Sequence, residues 1–242
     1  MAIIIGDNSS EFIPGGFGDD TISALGGDDV VVDLVGDNEI NGGPGDDFIL
    51  DGFGSSILEG DSGDDFIVDL GGDNEIEGGF GDDTLIGGRG FDFIAGGPGD
   101  DAISGRGRDD LLIGNSDNDE IYGGRGFDTL RGNVGDDYLF GGRDDDILIG
   151  GDGHDTLKGG SGSDTFVINL GNDDRATDTI VDFETGVDQI RVLDNGGCRA
   201  RIYFTGSDYL VSLSDNSGRF VAFSSENEIV ASDILSGGLE IV

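Results

Sequence analysis

Residues 15–23 read GGFGDDTIS and residues 42–50 read GGPGDDFIL. Each is nine residues long, with glycines at the start, an acid in sixth place and one large aliphatic residue in eighth. Working outward from these two stretches, the chain from Gly6 to Val167 divides into eighteen consecutive nonapeptides without an insertion or deletion. The eighth position is Ile13, Ile22, Val31, Ile40, Ile49, Leu58, Ile67, Ile76, Leu85, Ile94, Ile103, Leu112, Ile121, Leu130, Leu139, Leu148, Leu157 and Phe166, apolar every time in a chain that is only 35% hydrophobic. High glycine and high charge alone would suggest a disordered chain, but disorder keeps no such register.

Each unit reads as a six-residue turn followed by a very short strand. Glycines at positions one, two and four allow the positive φ values and close backbone approach of a tight turn. Side chains alternate along the strand, so position eight points inward while seven and nine point outward. Two units close one coil of 18 residues. The expected fold is all-β, a parallel β-roll of about nine coils and roughly 43 Å long at the usual strand spacing.

Stacking places the sixth positions in two ladders. One carries Glu11, Asp29, Asp47, Asp65, Asp83, Asp101, Asp119, Asp137 and Asp155. The other carries Asp20, Asn38, Ser56, Asn74, Asp92, Asp110, Asp128, Asp146 and Asp164. Carboxylates about 5 Å apart repel by about 3 kcal/mol per adjacent pair at an effective dielectric near 20. A hard divalent cation between successive turns reverses that sign. Calcium takes six to eight oxygens and accepts carboxylates and backbone carbonyls alike, whereas magnesium demands a stricter shell and zinc wants His or Cys. The fourteen aspartates are therefore the expected metal ligands. Eleven gaps have aspartate on both sides, which predicts roughly eleven or more calcium ions, with poor binding in the second ladder before Asp92.

Eight units match G-G-x-G-x-D-x-U-x at every specified place. The array resembles the RTX, or hemolysin-type, calcium-binding nonapeptide repeat. After Val167 the sequence DTIVDFETGVDQI is similar to the segment that closes the roll in serralysin-type secreted proteases. Residues 1–167 are thus read as the roll and 168–242 as a β-rich cap. The final Leu239, Glu240, Ile241 and Val242 resemble the uncleaved signal of type I secreted proteins. MAIIIGDNSS lacks the basic stretch and long apolar run of an N-terminal leader, so the resemblance implies an extracellular protein exported by another route.

A formal charge of −40 disfavours nucleic acid and anionic lipid as partners and favours cations. No apolar run is long enough to span a bilayer. Neither H-E-x-x-H nor G-x-S-x-G occurs, and the one histidine, His154, falls at position five of a repeat, so no enzyme is expected. Cys198 is alone and supplies no internal disulfide.

The outward positions of one sheet are greasy: Val30 and Val32, Phe48 and Leu50, Phe66 and Val68, Thr84 and Ile86, then Tyr138 and Phe140. Such a face is either covered by the chain's own C-terminal part or used in self-association. Arg89 with Phe91 and Arg125 with Phe127 recur two coils apart on one edge, and Arg143 extends the row. That edge either balances charge or holds an acidic polysaccharide.

Overall fold

A unit too short to bury its own apolar side chain folds only by stacking on copies of itself. The computed structural model describes residues 1–169, 178–184 and 187–193, with strands at 199–205, 208–214, 222–223 and 234–235. Among the described residues every regular element is a strand. Alternate units feed two parallel sheets, one of twelve strands and one of eleven, in which each strand as far as Gln189–Leu193 pairs with the strand two places along the chain. The register advances by 18 residues per coil, as in Ile22 opposite Ile40, Leu58 and Ile76 in turn. This is the parallel β-roll expected from the period.

All eighteen position-eight side chains are buried in one core between the two sheets. Fully burying a residue of this size stabilises by roughly 1.5–3 kcal/mol. The core is long but one side chain deep per strand until Thr165–Asn169, which adds Ile168 to Phe166. Phe166 is the bulkiest of the series and packs its ring 6.1 Å from that of Phe183. The core thereby passes from the last repeat into the residues that follow it.

Both sheets run beyond the nonapeptides. Before the first repeat, Ile3–Ile5 pairs in parallel with Thr21–Ser23, and Ile4 packs partly against the core. After the last, Thr179–Ile180 pairs with Thr156–Leu157, and Gln189–Leu193 pairs with Thr165–Asn169. Ile180 and Ile190 are buried like the position-eight residues they follow. The motifs D-T-I and D-Q-I thus repeat the acid, spacer, aliphatic triad of the roll. Ala222–Phe223 and Ile234–Leu235 each add a parallel strand, and Arg199–Thr205 pairs antiparallel with Asp208–Ser214. Cys198 and the four terminal residues Leu239–Val242 lie outside the described residues.

Glycine has two distinct duties in the turn. At most positions two and four it holds positive φ, as at Gly153 (φ 142°), where an added Cβ would run into the carbonyl of Gly135 one coil below. At position one the backbone is ordinary, and the glycine is needed for space. A Cβ on Gly132 would lie 2.8 Å from the Gly150 carbonyl oxygen and closer still to Asp137 Oδ2.

Candidate metal centre

An aspartate that opens a strand can reach the backbone of a neighbouring coil, and here the sixth position does so throughout. All fourteen expected ligands, Asp20, Asp29, Asp47, Asp65, Asp83, Asp92, Asp101, Asp110, Asp119, Asp128, Asp137, Asp146, Asp155 and Asp164, are at most 3% exposed. In the first ladder the N–H of Glu11 donates to Asp29 Oδ1 (2.7 Å), that of Asp29 to Asp47 Oδ1 (2.7 Å), and so on through Asp137 to Asp155 (3.0 Å). In the second, Asp92 donates to Asp110 Oδ1 (2.9 Å) and the series continues to Asp146 on Asp164 (2.9 Å). One oxygen of each carboxylate is therefore tied to the preceding coil by a charge-assisted bond.

The other oxygen is not. The Oδ2 atoms of Asp29, Asp47, Asp65, Asp83, Asp92, Asp101, Asp110, Asp119, Asp128, Asp137, Asp146 and Asp155 are buried without a hydrogen-bond partner. All but Asp29, whose unit begins with Ala24, face the cradle left by a position-one glycine. At Gly60, Gly78, Gly123 and Gly132 the carbonyl of the following coil also projects into it, as Gly141 O does beside Gly123 and Asp128. Unpartnered buried polar atoms are rare in folded proteins, and this many in a row points to a ligand. Among the described residues no three His, Cys, Asp or Glu side chains converge on one point. The oxygens available are one or two carboxylates with backbone carbonyls, an all-oxygen set of the kind that suits calcium.

Burial is the main cause of the strained electrostatics. It pushes Asp47, Asp83, Asp92, Asp128, Asp137 and Asp164 up to about 6, Asp65 and Asp101 up to about 7, and Asp110, Asp119 and Asp146 up to about 8, with neighbouring acids adding to the shift in most of them. Asp20, at the N-terminal end, goes the other way: the Ala2 N–H bonds its Oδ1, the Gly16 N–H its Oδ2, and its carboxyl is held below the usual range, the Ala2 bond being the largest cause.

Several functional residues escape a reading of position six alone. The ladders continue into Asp178, which accepts from the Asp155 N–H (3.3 Å), and Asp188, which accepts from the Asp164 N–H (3.0 Å). Asp182 takes the N–H groups of Gly159 and Gly160, both at 2.9 Å, and Asp188 Oδ2 takes that of Glu184 (2.7 Å). Position five forms a further, exposed ladder of opposite sense: Asp46 Oδ1 accepts from the Asp64 N–H (3.0 Å), Asp64 from Asp82 (3.0 Å) and Asp82 from Asp100 (2.9 Å). The recurrent Asp-Asp doublet was its signal. His154 is exposed and joins this ladder through its N–H to Asp136 Oδ1 (2.7 Å).

At the three neutral places the backbone tie persists. Asp20 N–H donates to Asn38 Oδ1 (3.0 Å), Asn38 N–H to Ser56 Oγ (3.0 Å), Ser56 N–H to Asn74 Oδ1 (2.9 Å) and Asn74 N–H to Asp92 Oδ1 (3.0 Å). The side-chain amides of Asn38 and Asn74 carry no charge and donate to carboxylates, to Asp51 Oδ1 (2.8 Å) and Asp92 Oδ1 (3.0 Å). Beside them three aspartates at position one, Asp33, Asp51 and Asp69, are fully buried.

A search of curated proteins finds no match to the chain. The family model of the RTX calcium-binding nonapeptide repeat (4 copies) matches residues 5–32, 14–49, 26–58, 33–67, 59–94, 95–130, 113–148, 131–166 and 140–174, which together span 5–174. With its unbroken register, its two-sheet roll and its rows of carboxylate and carbonyl oxygens, the chain belongs to the family of RTX calcium-binding nonapeptide repeat proteins.

Proposed function

We propose that this chain is an extracellular rod that calcium folds, and that it acts through its surfaces rather than by catalysis. The observation that carries the reading is the row of buried Oδ2 atoms without a partner. The position-six aspartates and the carbonyls of position-one glycines would hold the ions. Bound calcium supplies the positive charge that lets stacked carboxylates remain buried. Export to an exterior where calcium is millimolar would saturate even weak sites, while a calcium-poor cytosol would leave the chain unfolded.

Two surfaces are candidates for partners. On the eleven-stranded sheet, Phe12, Val30, Phe48 and Phe66 are exposed in one row, and the rings of Phe48 and Phe66 stack at 5.6 Å and 4°. Contiguous apolar area of this kind suits self-association. Further along the same sheet a groove of about 550 Å³ is lined by Tyr122, Phe140, Arg143 and Lys158 among others, with Lys158 Nζ 4.4 Å from the Phe140 ring centre. Cations beside aromatic faces favour a second reading, an acidic polysaccharide held in this groove. Among the described residues no helix is long and apolar enough to cross a membrane.

Light scattering tests both. Calcium is expected to shrink the monomer from a radius of gyration of about 54 Å towards the roughly 18 Å of a compact chain. Calcium-dependent dimers would then support the apolar face, and a mass gain only on adding a polyuronate would support the basic groove. A monomer inert to both would remove the surface reading.

A further inference from the structure

We propose that Asp33, Asp51 and Asp69 are calcium ligands, and that they keep the second file of ions unbroken from Asp20 to Asp92. The inference rests on the reading that position-six aspartates bind calcium, and it reverses the expectation of poor binding around Asn38, Ser56 and Asn74.

An ordinary position-six aspartate does two jobs. Its Oδ1 takes a backbone N–H of the neighbouring coil, and its Oδ2 places a buried charge in the cradle at position one. In the units that begin at 33, 51 and 69 these jobs are divided. Asn38, Ser56 and Asn74 keep the backbone bond. The carboxylate comes instead from position one, where nearly every other unit has glycine. The substitution is paired: each of the three units with a neutral sixth residue begins with aspartate, and no unit with an acid in sixth place does.

The two sources fill the same space. In ordinary units a Cβ at position one would collide with the unit's own Asp Oδ2, as at Gly87 with Asp92. A Cβ at Gly15 would collide with the carboxyl group of Asp33 from the coil above. Asp33 stands in register with Asp51, each the fourth of six residues in its strand. Burial, and after it the charges of Asp20 and Asp51, raises the Asp33 carboxyl; burial and then Asp51, with Asp92 a smaller cause, raises that of Asp69. The carboxylates of Asp20, Asp33, Asp51, Asp69 and Asp92 therefore follow one another as a single row.

Each of the three has the same half-satisfied state as an ordinary ligand. Asp33 Oδ1 takes the Val35 N–H (3.4 Å), Asp51 Oδ1 the Asn38 side-chain amide (2.8 Å) and Asp69 Oδ1 the Gly71 N–H (2.5 Å). Their Oδ2 atoms have no partner, and the side chains are 1%, 0% and 0% exposed. The amide of Asn38 thus ties down one oxygen of Asp51 without neutralising the other. Three stacked carboxylates with buried free oxygens call for a cation as strongly as the regular rows do.

Equilibrium dialysis at millimolar calcium, counting ions per folded chain, tests this with two variants. The triple variant Asp33→Asn, Asp51→Asn, Asp69→Asn is expected to bind about three or four fewer ions than the parent, since the four gaps from Asp20 to Asp92 lose carboxylates. The relocated variant moves each carboxylate back: Asp33→Gly with Asn38→Asp, Asp51→Gly with Ser56→Asp, and Asp69→Gly with Asn74→Asp. It is expected to bind as many ions as the parent. An unchanged count in the triple variant would overturn the proposal, as would a relocated variant that binds three or four ions more than the parent. If the triple variant does not fold, the relocated one decides alone. A parent that takes up no calcium overturns the underlying reading as well, and is told apart by that result.

Discussion

In chelator at pH above about 8 the chain is expected to lose its β-sheet circular dichroism, and calcium is expected to restore it in one cooperative step. Among the described residues fifteen buried carboxylate oxygens lack a partner, twelve at position six and three at position one. Leaving a charge buried and unpaired costs about 3–5 kcal/mol in measured cases. A typical domain is stable by only about 5–15 kcal/mol, so a few such groups would cancel the whole margin. The hydrophobic core cannot compensate, because each nonapeptide strand before Thr165 contributes a single side chain to it. Cooperativity follows from the stacking: an ion between two coils orders both, and each ordered coil completes the cradle for the next. Retention of the full β signal in chelator at pH above about 8 would show that the carboxylates are stabilised by something other than metal.

Acid is expected to act in opposite directions on the calcium-free and calcium-loaded chain. Burial raises the carboxyl groups of Asp65 and Asp101 to about 7 and those of Asp110, Asp119 and Asp146 to about 8, from an ordinary value of 3.8. A raised acid binds its proton more tightly in the folded state, so its contribution to stability is complete below the unfolded value and is lost as pH rises through the folded one. Without calcium, the roll should therefore gain β structure as pH falls from about 8 towards about 5, with protons doing part of the work of the metal. The lower net charge acts in the same direction. With calcium present the same protons compete with the ion, so the calcium midpoint should shift to higher concentration over the same pH range. Circular dichroism across pH at fixed chelator and at fixed calcium reads both arms. A chelated chain that unfolds further on acidification would contradict the assignment of burial as the cause.

The roll was legible because its two strongest signals repeat without a break. Position eight alternates against a polar background, so Ile22, Ile40, Leu58 and their counterparts could be placed inward from period alone. The aspartates at position six were legible for the same reason. What escaped was whatever a fixed nine-place frame hides. Asp33, Asp51 and Asp69 sit five residues before the neutral sixth positions, and only the folded turn shows that positions one and six aim at one cradle. Asp178 and Asp188 continue the ladders across spacings of 23 and 24 residues instead of 18, so the count loses them although the acid, spacer, aliphatic triad is intact. Ile3–Ile5 lies before the first complete nonapeptide, so the nine-place frame does not reach it. Gly153 and Gly132 look alike in sequence, yet one answers to a positive φ and the other to an approaching carboxylate.

The most direct measurement is an anomalous difference map from crystals grown in millimolar calcium. The account predicts two files of peaks, one between successive carboxylates from Asp29 to Asp155 and one along the row from Asp20 through Asp33, Asp51, Asp69 and Asp92 to Asp164. Folded coils whose aspartate Oδ2 atoms face each other with no peak between them would contradict it.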